Sequence, residues 1–412
     1  MKKTVIVIGA GASGTIAAGF AGLNGADVII IEKNKKICVK IRITGKGRCN
    51  ITNNCSKEKF IENIPKNSKF LYSSINTFSP QDTVDFFTKQ GLKLKTERGN
   101  RVFPISNNAN DVADTLEKFI NENNCKIING KVEKLIIKNN KCLGVVLDNE
   151  EKIFSDSVII ASGGKSYPRT GSTGDGYIFA KNSGHKITKL KPSLVPLISN
   201  ENWCKKLQGL SLKNVSIEIL DTVKNKLIYK ELGEMLFTHF GVSGPLILSA
   251  SSHMNEMSEN RYLINLDLKP GLTLDQLDKR LQKDFIKCKN KDYANSLNDI
   301  LPKKIIPTIV DLSEIPSKTK CHEITKEMRI RLANLLKKLK ISVKNFRPIE
   351  EAIITSGGVC TSTINPKTME SKIIKSLYFA GEIIDVDGYT GGFNLQIAFS
   401  TGYVAGNFAV KE

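Results

Sequence analysis

The chain has 412 residues, enough for two or three domains with substantial cores. It carries 61 Lys and Arg against 41 Asp and Glu, a formal net charge of +20. Nine cysteines without a Cys-x-x-Cys pair and four widely separated histidines exclude a disulfide framework and a zinc-type cluster, so no metal site is predicted. Two interpretations of the charge stay open. In the first, the lysines only keep the surface hydrated. In the second, they form a positive field that favours a polyanionic partner such as nucleic acid.

The first predicted unit is a strand, a tight turn, a helix and a second strand over Thr4–Glu32. Val5–Ile8 and Val28–Ile31 are short apolar runs, typical of strands buried on both faces. Glu32 closes the second run, where a carboxylate accepts hydrogen bonds from a ribose 2′-hydroxyl. An acid here argues against a 2′-phosphate. The spacing therefore predicts a dinucleotide site.

The turn between the two strands carries the pattern Gly-x-Gly-x-x-Gly. In such a turn Gly9 makes the sharp bend, Gly11 lets the backbone approach a pyrophosphate, and Gly14 lets the helix pack closely on the strand. The N terminus of the following helix offers N–H groups and a positive dipole end to the phosphates.

Lys2 and Lys3 ahead of an apolar run resemble the start of a signal peptide. Glycines interrupt that run, and no other stretch offers about 18 unbroken apolar residues. We therefore predict no membrane span and a cytoplasmic protein.

A polar, glycine-rich loop follows the second strand and contains Gly45, Gly47, Arg48 and Asn50. An ordinary surface turn and a second phosphate-binding loop both fit this composition. Cys49 lies in the same loop beside Arg48.

The middle of the first domain is predicted as a β-meander whose first strand runs over Lys126–Ile137. A further buried strand, Val158–Ile160, ends in the turn Ala161–Gly164, of the kind expected where a flavoprotein closes its sheet near the cofactor. The glycine-rich stretch beyond it does not repeat Gly-x-Gly-x-x-Gly after a strand. One resident dinucleotide is therefore predicted, and a nicotinamide donor would bind only transiently.

The character of the chain changes at about residue 191, where an insertion is predicted. Alternating strand patterns come first, then a largely helical segment over Leu272–Lys340 and a return strand over Ile341–Arg347. Between Leu272 and Arg347 there are 18 Lys and Arg against 9 Asp and Glu, a net of +9. Solvated helix faces and a nucleic-acid surface both explain this excess.

The dinucleotide domain resumes near the C terminus. Leu377–Glu382 is predicted as a strand that enters a glycine turn, and Ile397–Ala409 as a small-residue helix. A Gly-acid turn, a Gly-Gly loop and a helix N terminus facing the flavin pyrimidine suit an FAD site. With the N-terminal fingerprint, this motif favours FAD over NAD as the resident cofactor.

The chain resembles the BaiN/RdsA (YhiN-like) family of bacterial NAD(P)/FAD-dependent oxidoreductases over nearly its whole length. The matching stretches are GAGASG at Gly9–Gly14, TGKGRCNITN at Thr44–Asn53, RVFP at Arg101–Pro104, ASGGKSYPRTGSTGDGY at Ala161–Tyr177, KPSLVPL at Lys191–Leu197, GEMLFTHFGVSGP at Gly233–Pro245, TSGGV at Thr355–Val359, TMESK at Thr368–Lys372 and GEIIDVDGYTGGFNLQIA at Gly381–Ala398.

The resemblance implies an α/β fold: a discontinuous Rossmann-like FAD-binding domain with an inserted β-barrel-like domain and a small helical domain. We place the FAD domain at 1–190 and 351–412, the β domain at 191–270 and 341–350, and the helical domain at 271–340. The family resemblance also implies that the protein reduces a conjugated C=C bond. The substrate would be either a uridine of large-subunit ribosomal RNA or a 3-oxo bile acid. The charge favours the RNA. A flavin-bearing sensor or RNA-binding module without turnover is the remaining alternative.

When reduced FAD delivers a hydride to one carbon of a C=C bond, the neighbouring carbon of that bond must receive a proton from a side-chain acid. Cys49 is the first candidate, although a small buried packing residue is an equal interpretation, and His239 and Asp385 are the alternatives. The predicted cofactor-binding residues are Gly9, Gly11, Ala12, Ser13, Gly14, Glu32, Lys33, Lys40, Gly45, Gly47, Arg48, Asn50, Val132, Ala161, Gly163, Gly381, Glu382, Asp385, Gly391, Gly392, Asn394, Leu395 and Gln396.

Overall fold

The computed structural model describes residues 2–411 and divides the chain into two compact units. The sheet unit comprises the chain up to Ser193 and from Pro348 onward, and the barrel unit is Leu194–Arg347. The chain therefore leaves the sheet unit once and returns to it once.

The strands, in chain order, are β1 Thr4–Ile8, β2 Asp27–Glu32, β3 Thr52–Asn53, β4 Leu94–Glu97, β5 Arg101–Pro104, β6 Lys126–Asn129, β7 Val132–Lys138, β8 Lys141–Leu147, β9 Lys152–Phe154, β10 Ser157–Ile160, β11 Lys191–Ser193, β12 Leu197–Ser199, β13 Ser211–Asp221, β14 Lys226–Thr238, β15 Gly241–Ser243, β16 Tyr262–Asp267, β17 Leu339–Phe346, β18 Ile354–Ser356 and β19 Leu377–Phe379.

The α-helices are α1 Ala12–Leu23, α2 Val39–Ile43, α3 Lys57–Glu62, α4 Tyr72–Thr77, α5 Pro80–Lys89, α6 Ala109–Glu122, α7 Asp175–Asn182, α8 Asn202–Lys206, α9 Pro245–Ser251, α10 Leu274–Lys287, α11 Tyr293–Ser296, α12 Ile306–Ser313, α13 Lys326–Lys337 and α14 Phe393–Ala409. Within residues 2–411, none of them is both long and apolar enough to cross a membrane.

The sheet unit is built on a five-stranded sheet in the order β19-β10-β1-β2-β6, with every pair parallel. The apolar, β-branched runs of β1 and β10 are buried. Helices α1 and α14 contact β10, and so does strand β8, and parallel strands covered on both faces are typically apolar throughout. The prediction of one strand over Lys126–Ile137 is wrong in detail. Lys126–Asn129 pairs with β2 in this sheet, and Val132–Lys138 pairs with β8 in a separate three-stranded sheet.

Helices α1 and α14 pack against each other through small residues. A Cβ on Gly402 or Gly406 would overlap the backbone carbonyl oxygens of Ser13 and Ala17, so only glycine permits this approach. Helix α14 begins at Phe393, four residues before its predicted start. The close packing fixes the N termini of both helices at the same edge of the sheet.

The barrel unit is a closed six-stranded barrel in the order β12-β15-β14-β13-β16-β17. Its inward side chains and the apolar faces of helices α10 to α13 form one continuous hydrophobic cluster. Strand β14 runs to Thr238 and so includes the first half of the family stretch Gly233–Pro245. The predicted α/β class, with a Rossmann-like domain and an inserted barrel and helices, is confirmed.

Candidate dinucleotide site

A cleft of about 1360 Å³, counting the part open to solvent, lies at the carboxyl ends of the five parallel strands. Ligands of open α/β sheets bind at this edge because the helix N termini and the loops converge there. The residues that line it include Ile8, Gly9, Gly11, Ala12, Ser13, Glu32, Lys33, Asn34, Lys40, Gly130, Lys131, Val132, Ala161, Ser162, Gly163, Thr170, Gly171, Asp175, Ile353, Ile354, Glu382, Val386, Asn394, Leu395 and Ala398.

The glycine turn has the steric properties expected of a pyrophosphate loop. Gly9 has φ +98°, which disfavours other residues, and a Cβ on Gly14 would overlap the Gly9 carbonyl oxygen. A Cβ on Gly11 would meet no atom within 4 Å, so the space above this backbone belongs to the cleft. Gly11 is the N-cap residue of helix α1 and has no side chain to accept a hydrogen bond from the first N–H groups of the helix. Those N–H groups therefore remain available to an anion.

Glu32 is held by the backbone at the end of β2. One carboxylate oxygen accepts from the Ala10 N–H at 2.8 Å, and the other accepts from the Asn34 N–H at 2.8 Å and from its side-chain amide at 2.9 Å. The side chain is 8 % exposed and lines the cleft. The carboxylate is therefore oriented before any ligand binds.

The two residues after Glu32 tie β2 to the loop that precedes α7. The Lys33 ammonium lies 2.6 Å from an Asp175 carboxylate oxygen and 2.5 Å from the Thr173 hydroxyl. The Asn34 side-chain amide also donates to the Thr170 carbonyl oxygen at 3.1 Å. We call these contacts the strap. It closes one side of the cleft at the Glu32 end.

A second polar network lies where β19 ends. The Lys40 ammonium is 2.7 Å from a Glu382 carboxylate oxygen and donates to the Ser166 hydroxyl at 2.6 Å. The other Glu382 oxygen accepts from the Ser166 hydroxyl at 2.9 Å and from the Thr355 N–H at 2.8 Å. Lys40 and Glu382 thus form an ion pair at the cleft wall, and each charge is balanced by the other.

The polar chemistry of the cleft fits a dinucleotide such as FAD. The backbone at Gly11 is open to the cleft, because a Cβ there would meet no atom within 4 Å, and this leaves room for a phosphate. The hydroxyl oxygen of Ser162 is buried without a partner, but it lies against Gly176 and not on the cleft surface. Helix N termini converge on the cleft from α1 and from α14, and the acid Glu32 stands at the ribose end. Ile353, Ile354 and Val386 supply an apolar part of the wall.

Several predicted cofactor residues shape the cleft without lining it. A Cβ on Gly381 would overlap the Ser13 side chain, and one on Gly392 would overlap the Thr52 backbone. Gln396 is buried, where its side-chain oxygen accepts from the Thr52 hydroxyl at 2.6 Å. Gly391 lies beside the Phe393 ring. These positions hold helix α14 in place.

The glycine-rich loop with Gly45, Gly47 and Arg48 lies outside the cleft lining. The Arg48 guanidinium pairs with Glu97 at 2.5 Å and lies 4.2 Å from the Phe103 ring centroid. The side-chain oxygen of Asn50 is buried without a partner.

The three candidate proton donors occupy different environments. Cys49 is fully buried, and burial raises the pKa of its thiol well above the usual range. Asp385 is also buried, with Lys66 at 2.7 Å and the Asn67 side-chain amide at 3.2 Å from its carboxylate. His239 is exposed and belongs to the barrel unit. None of the three lines the cleft among the residues that the structure describes.

Sequence reasoning missed other cleft residues. Asn34 follows Glu32 by two positions, and an amide in the turn after the ribose strand was an available signal. Ser162 sits between two predicted residues of its turn. Asp175 and Lys131 carried no local signal, because tertiary packing alone brings them to the cleft.

The HI0933-like protein Rossmann domain family matches residues 3–408 of the chain. The chain belongs to the HI0933-like family. The family resemblance predicted from the sequence is thereby confirmed, and with it the dinucleotide-binding type of the sheet unit.

Two kinds of HI0933-like relative align over almost the whole chain. A 3-dehydro-bile acid delta(4,6)-reductase from Clostridium scindens is 31 % identical over 98 % of both chains. A ribosomal RNA dihydrouridine synthase from Escherichia coli is 28 % identical over 97 % of this chain and 96 % of its own. One from Haemophilus influenzae is 29 % identical over the same shares. The protein is therefore an oxidoreductase of this family.

Among solved structures, a 3-ketosteroid delta1-dehydrogenase from Sterolibacterium denitrificans superposes with a TM-score of 0.53. The match covers 99 % of this chain and 100 % of that one at 13 % identity. At this identity the likeness supports the fold alone.

Proposed function

We propose that the protein binds FAD and takes electrons from NAD(P)H. Its substrate is a uridine of large-subunit ribosomal RNA, whose conjugated C=C bond it reduces to give dihydrouridine. Bound FAD supplies the hydride. The residues of the chain hold the dinucleotide: Glu32 at the ribose, Gly11 and the N terminus of α1 at the phosphates, and the Lys40–Glu382 pair at the far wall. A ribosomal RNA substrate also requires a cytoplasmic location.

The distribution of charge is the observation that favours RNA over a steroid. Residues 194–271 contain equal numbers of basic and acidic residues, so the whole +9 excess of the barrel unit lies between Leu272 and Arg347. Lys279, Lys283 and Lys287 follow one another at four-residue spacing on α10 and are exposed. We call these three the α10 lysines. A row of ammonium groups suits successive phosphates.

The α10 lysines are held weakly by the protein itself. Lys287 lies 3.9 Å from Asp299, and both side chains are largely exposed. By contrast, Lys337 is structural. Its ammonium lies 2.5 Å from Asp267 and donates to two backbone carbonyl oxygens, those of Lys269 and Leu272. The basic surface and the basic residues that stabilise the fold are thus different groups.

The second candidate function is reduction of a bile-acid-type enone. The 31 % identity to the Clostridium scindens reductase over 98 % of both chains favours it. A small apolar substrate gives no reason for the basic excess on α10. The third alternative is a flavin-bearing sensor or RNA-binding module without turnover. If the protein is such a module, it should oxidise NAD(P)H barely at all.

The identity of the proton donor stays a proposal. Cys49 would have to become accessible, because its side chain is fully buried. Asp385 holds an ion pair with Lys66, so its carboxylate is committed to a cation. His239 is exposed and free to approach a large substrate. Of the three, only His239 is exposed, so it stays a candidate beside Cys49 and Asp385.

The test compares the two substrates on the purified full chain loaded with FAD. NADH and NADPH are supplied in turn, with ribosomal RNA from cells lacking the gene or with a 3-oxo-4-ene steroid. We expect dihydrouridine in nucleoside digests by mass spectrometry, and loss of one dihydrouridine from ribosomal RNA when the gene is deleted. Efficient steroid reduction with unchanged cellular dihydrouridine would establish the enone function instead. Negligible NAD(P)H oxidation with either substrate would favour the sensor.

A further inference from the structure

A tight hairpin turn joins β14 to β15 in the barrel unit. Thr238 pairs with Gly241, so His239 and Phe240 are the two central residues of the turn. His239 is exposed and Phe240 is half-buried, although both follow the fully buried Phe237. The turn therefore presents two aromatic rings at the end of a barrel strand.

The backbone holds this turn in one position. Gly241 has φ +152°, and a Cβ there would overlap the Leu197 carbonyl oxygen on β12. The Ser199 N–H donates to the Phe240 carbonyl oxygen at 3.1 Å. Strand β12 thus fastens the turn at its second aromatic residue.

Arg347 is fastened to the same region and stacks on the same ring. Its N–H donates to the Pro196 carbonyl oxygen at 3.0 Å, directly before β12. Its guanidinium lies 4.6 Å from the Phe240 ring centroid, which is cation–π distance. The His239 ring meets the Phe240 ring edge-on, with centroids 4.9 Å apart and planes at 78°.

We propose that His239, Phe240 and Arg347 form a stacking platform for an unpaired base of the RNA substrate. Proteins that read single-stranded RNA stack splayed bases on aromatic rings and on guanidinium planes. This platform has both, and backbone hydrogen bonds to Ser199 and Pro196 already hold Phe240 and Arg347 in place, so little conformational entropy is lost when a base binds. Its cation also lies at the end of the basic segment that begins at Leu272. The proposal rests on the proposed function and assigns the surface that recognises the base.

The platform predicts a difference between bases and phosphates. The full chain is titrated with a labelled uridine-rich oligonucleotide and with an abasic oligonucleotide of equal length and charge. Wild type should bind the uridine oligonucleotide more tightly. Phe240→Leu keeps apolar volume without a ring and should remove roughly 5- to 150-fold of affinity for that oligonucleotide only, the usual contribution of one stacked base.

Matched variants separate stacking from folding. Phe240→Tyr and Phe240→Trp retain a ring and should bind like wild type. The additional indole emission of the Phe240→Trp variant should be quenched by the uridine oligonucleotide and not by the abasic one. Arg347→Lys keeps the charge but loses the plane, so it should weaken the uridine complex selectively. Thermal melting confirms that each variant is folded.

Equal binding of the two oligonucleotides to wild type, or unchanged selectivity in Phe240→Leu, would overturn the platform. If dihydrouridine still forms in ribosomal RNA, the proposed function survives that result. Failure to bind either oligonucleotide at low salt would overturn both. Steroid binding lost in Phe240→Leu with RNA binding intact would assign the ring to a small apolar substrate instead.

Discussion

Gly11 and Gly14 are three residues apart, yet a methyl group at each meets a different environment. At Gly11 it would point into the cleft and meet no protein atom within 4 Å, and at Gly14 it would overlap the Gly9 carbonyl oxygen. We predict that Gly11→Ala folds with a melting temperature near that of wild type but loses most of its FAD, because the methyl occupies the approach of the pyrophosphate.

Gly14→Ala is the matched control and should lower stability itself, with little soluble protein. The ratio of flavin absorbance to protein, measured with thermal melting, distinguishes the two effects. A Gly11→Ala protein with full FAD content would contradict the assignment of the cleft.

Cys49 illustrates why residue type alone does not establish a catalytic role. A thiol beside an arginine in a glycine loop predicted an acid, but the side chain is fully buried and its pKa is raised by burial. If Cys49 packs the loop, Cys49→Ala should leave both flavin reduction by NAD(P)H and substrate reduction within about threefold of wild type, since a positioned acid contributes about 10²–10⁴-fold.

Stopped-flow spectroscopy of the two half-reactions checks this expectation. Loss of substrate reduction by about 10²-fold with intact flavin reduction would instead identify Cys49 as the proton donor. His239→Gln, measured in parallel, tests the exposed alternative.

At the scale of elements, the strap joins the end of β2 to the start of α7. Lys33 and Asp175 are both about one-quarter exposed, so their ion pair contributes about 1 kcal/mol. Lys33→Met should therefore raise the rate of FAD dissociation by up to about fivefold. Lys35→Met, an exposed neighbour outside the cleft lining, is the matched control and should not change it. Flavin fluorescence recovery on dilution measures the rate, and equal rates in both variants would count against the strap.

A buried histidine after α7 links Thr363, Ser371 and strand β19. The His185 ring nitrogens lie 2.9 Å from the Thr363 hydroxyl and 2.8 Å from the Ser371 hydroxyl, and its ring meets Phe379 of β19 edge-on. Burial lowers the pKa of His185 to about 4. Because the unfolded state binds a proton that the folded state refuses, stability should be full above about pH 6.5 and fall as the pH drops toward 4.

The expected loss is up to about 3 kcal/mol in the free energy of unfolding. Urea denaturation across this pH range measures it. His185→Gln removes the titrating ring and should flatten the curve, which separates this group from acids that titrate near pH 4. Parallel curves for both proteins would show that folding does not lower the pKa of His185.

At the scale of the whole molecule, the net charge of +20 should govern association with RNA. Phosphate contacts release counterions, so affinity should fall linearly with salt on a log–log plot. Replacing the α10 lysines by glutamine should flatten this slope by about 2, the value for three lost contacts on a single strand. FAD content and NAD(P)H oxidation should stay unchanged.

A triple substitution of equal charge in the sheet unit, at the exposed Lys126, Lys134 and Lys138, controls for net charge alone. If the slope of affinity against salt changes equally in both variants, RNA binding depends on the net charge of the protein and not on a local site at the α10 lysines. Lys337 is unsuitable for this test, because its loss should destabilise the contact between α13 and the segment after β16.

The strand–turn–helix–strand unit over Thr4–Glu32 was determined by the local sequence. Its glycine spacing, apolar runs and terminal acid act through sterics and hydrogen bonds among neighbours. The family motifs likewise carried the fold class with its inserted barrel. The apolar patterns of β1 and β10 were sufficient for the same reason, since parallel strands are buried on both faces.

Tertiary structure alone decided how distant residues meet. Lys33 finds Asp175 across 142 positions, Lys126–Asn129 joins β2, and Lys337 turns inward while the α10 lysines remain exposed. Each outcome depends on which apolar faces are buried together, and that choice is made by the whole chain and not by any window of it. Cys49 is buried and Phe240 remains half-exposed for the same physical reason.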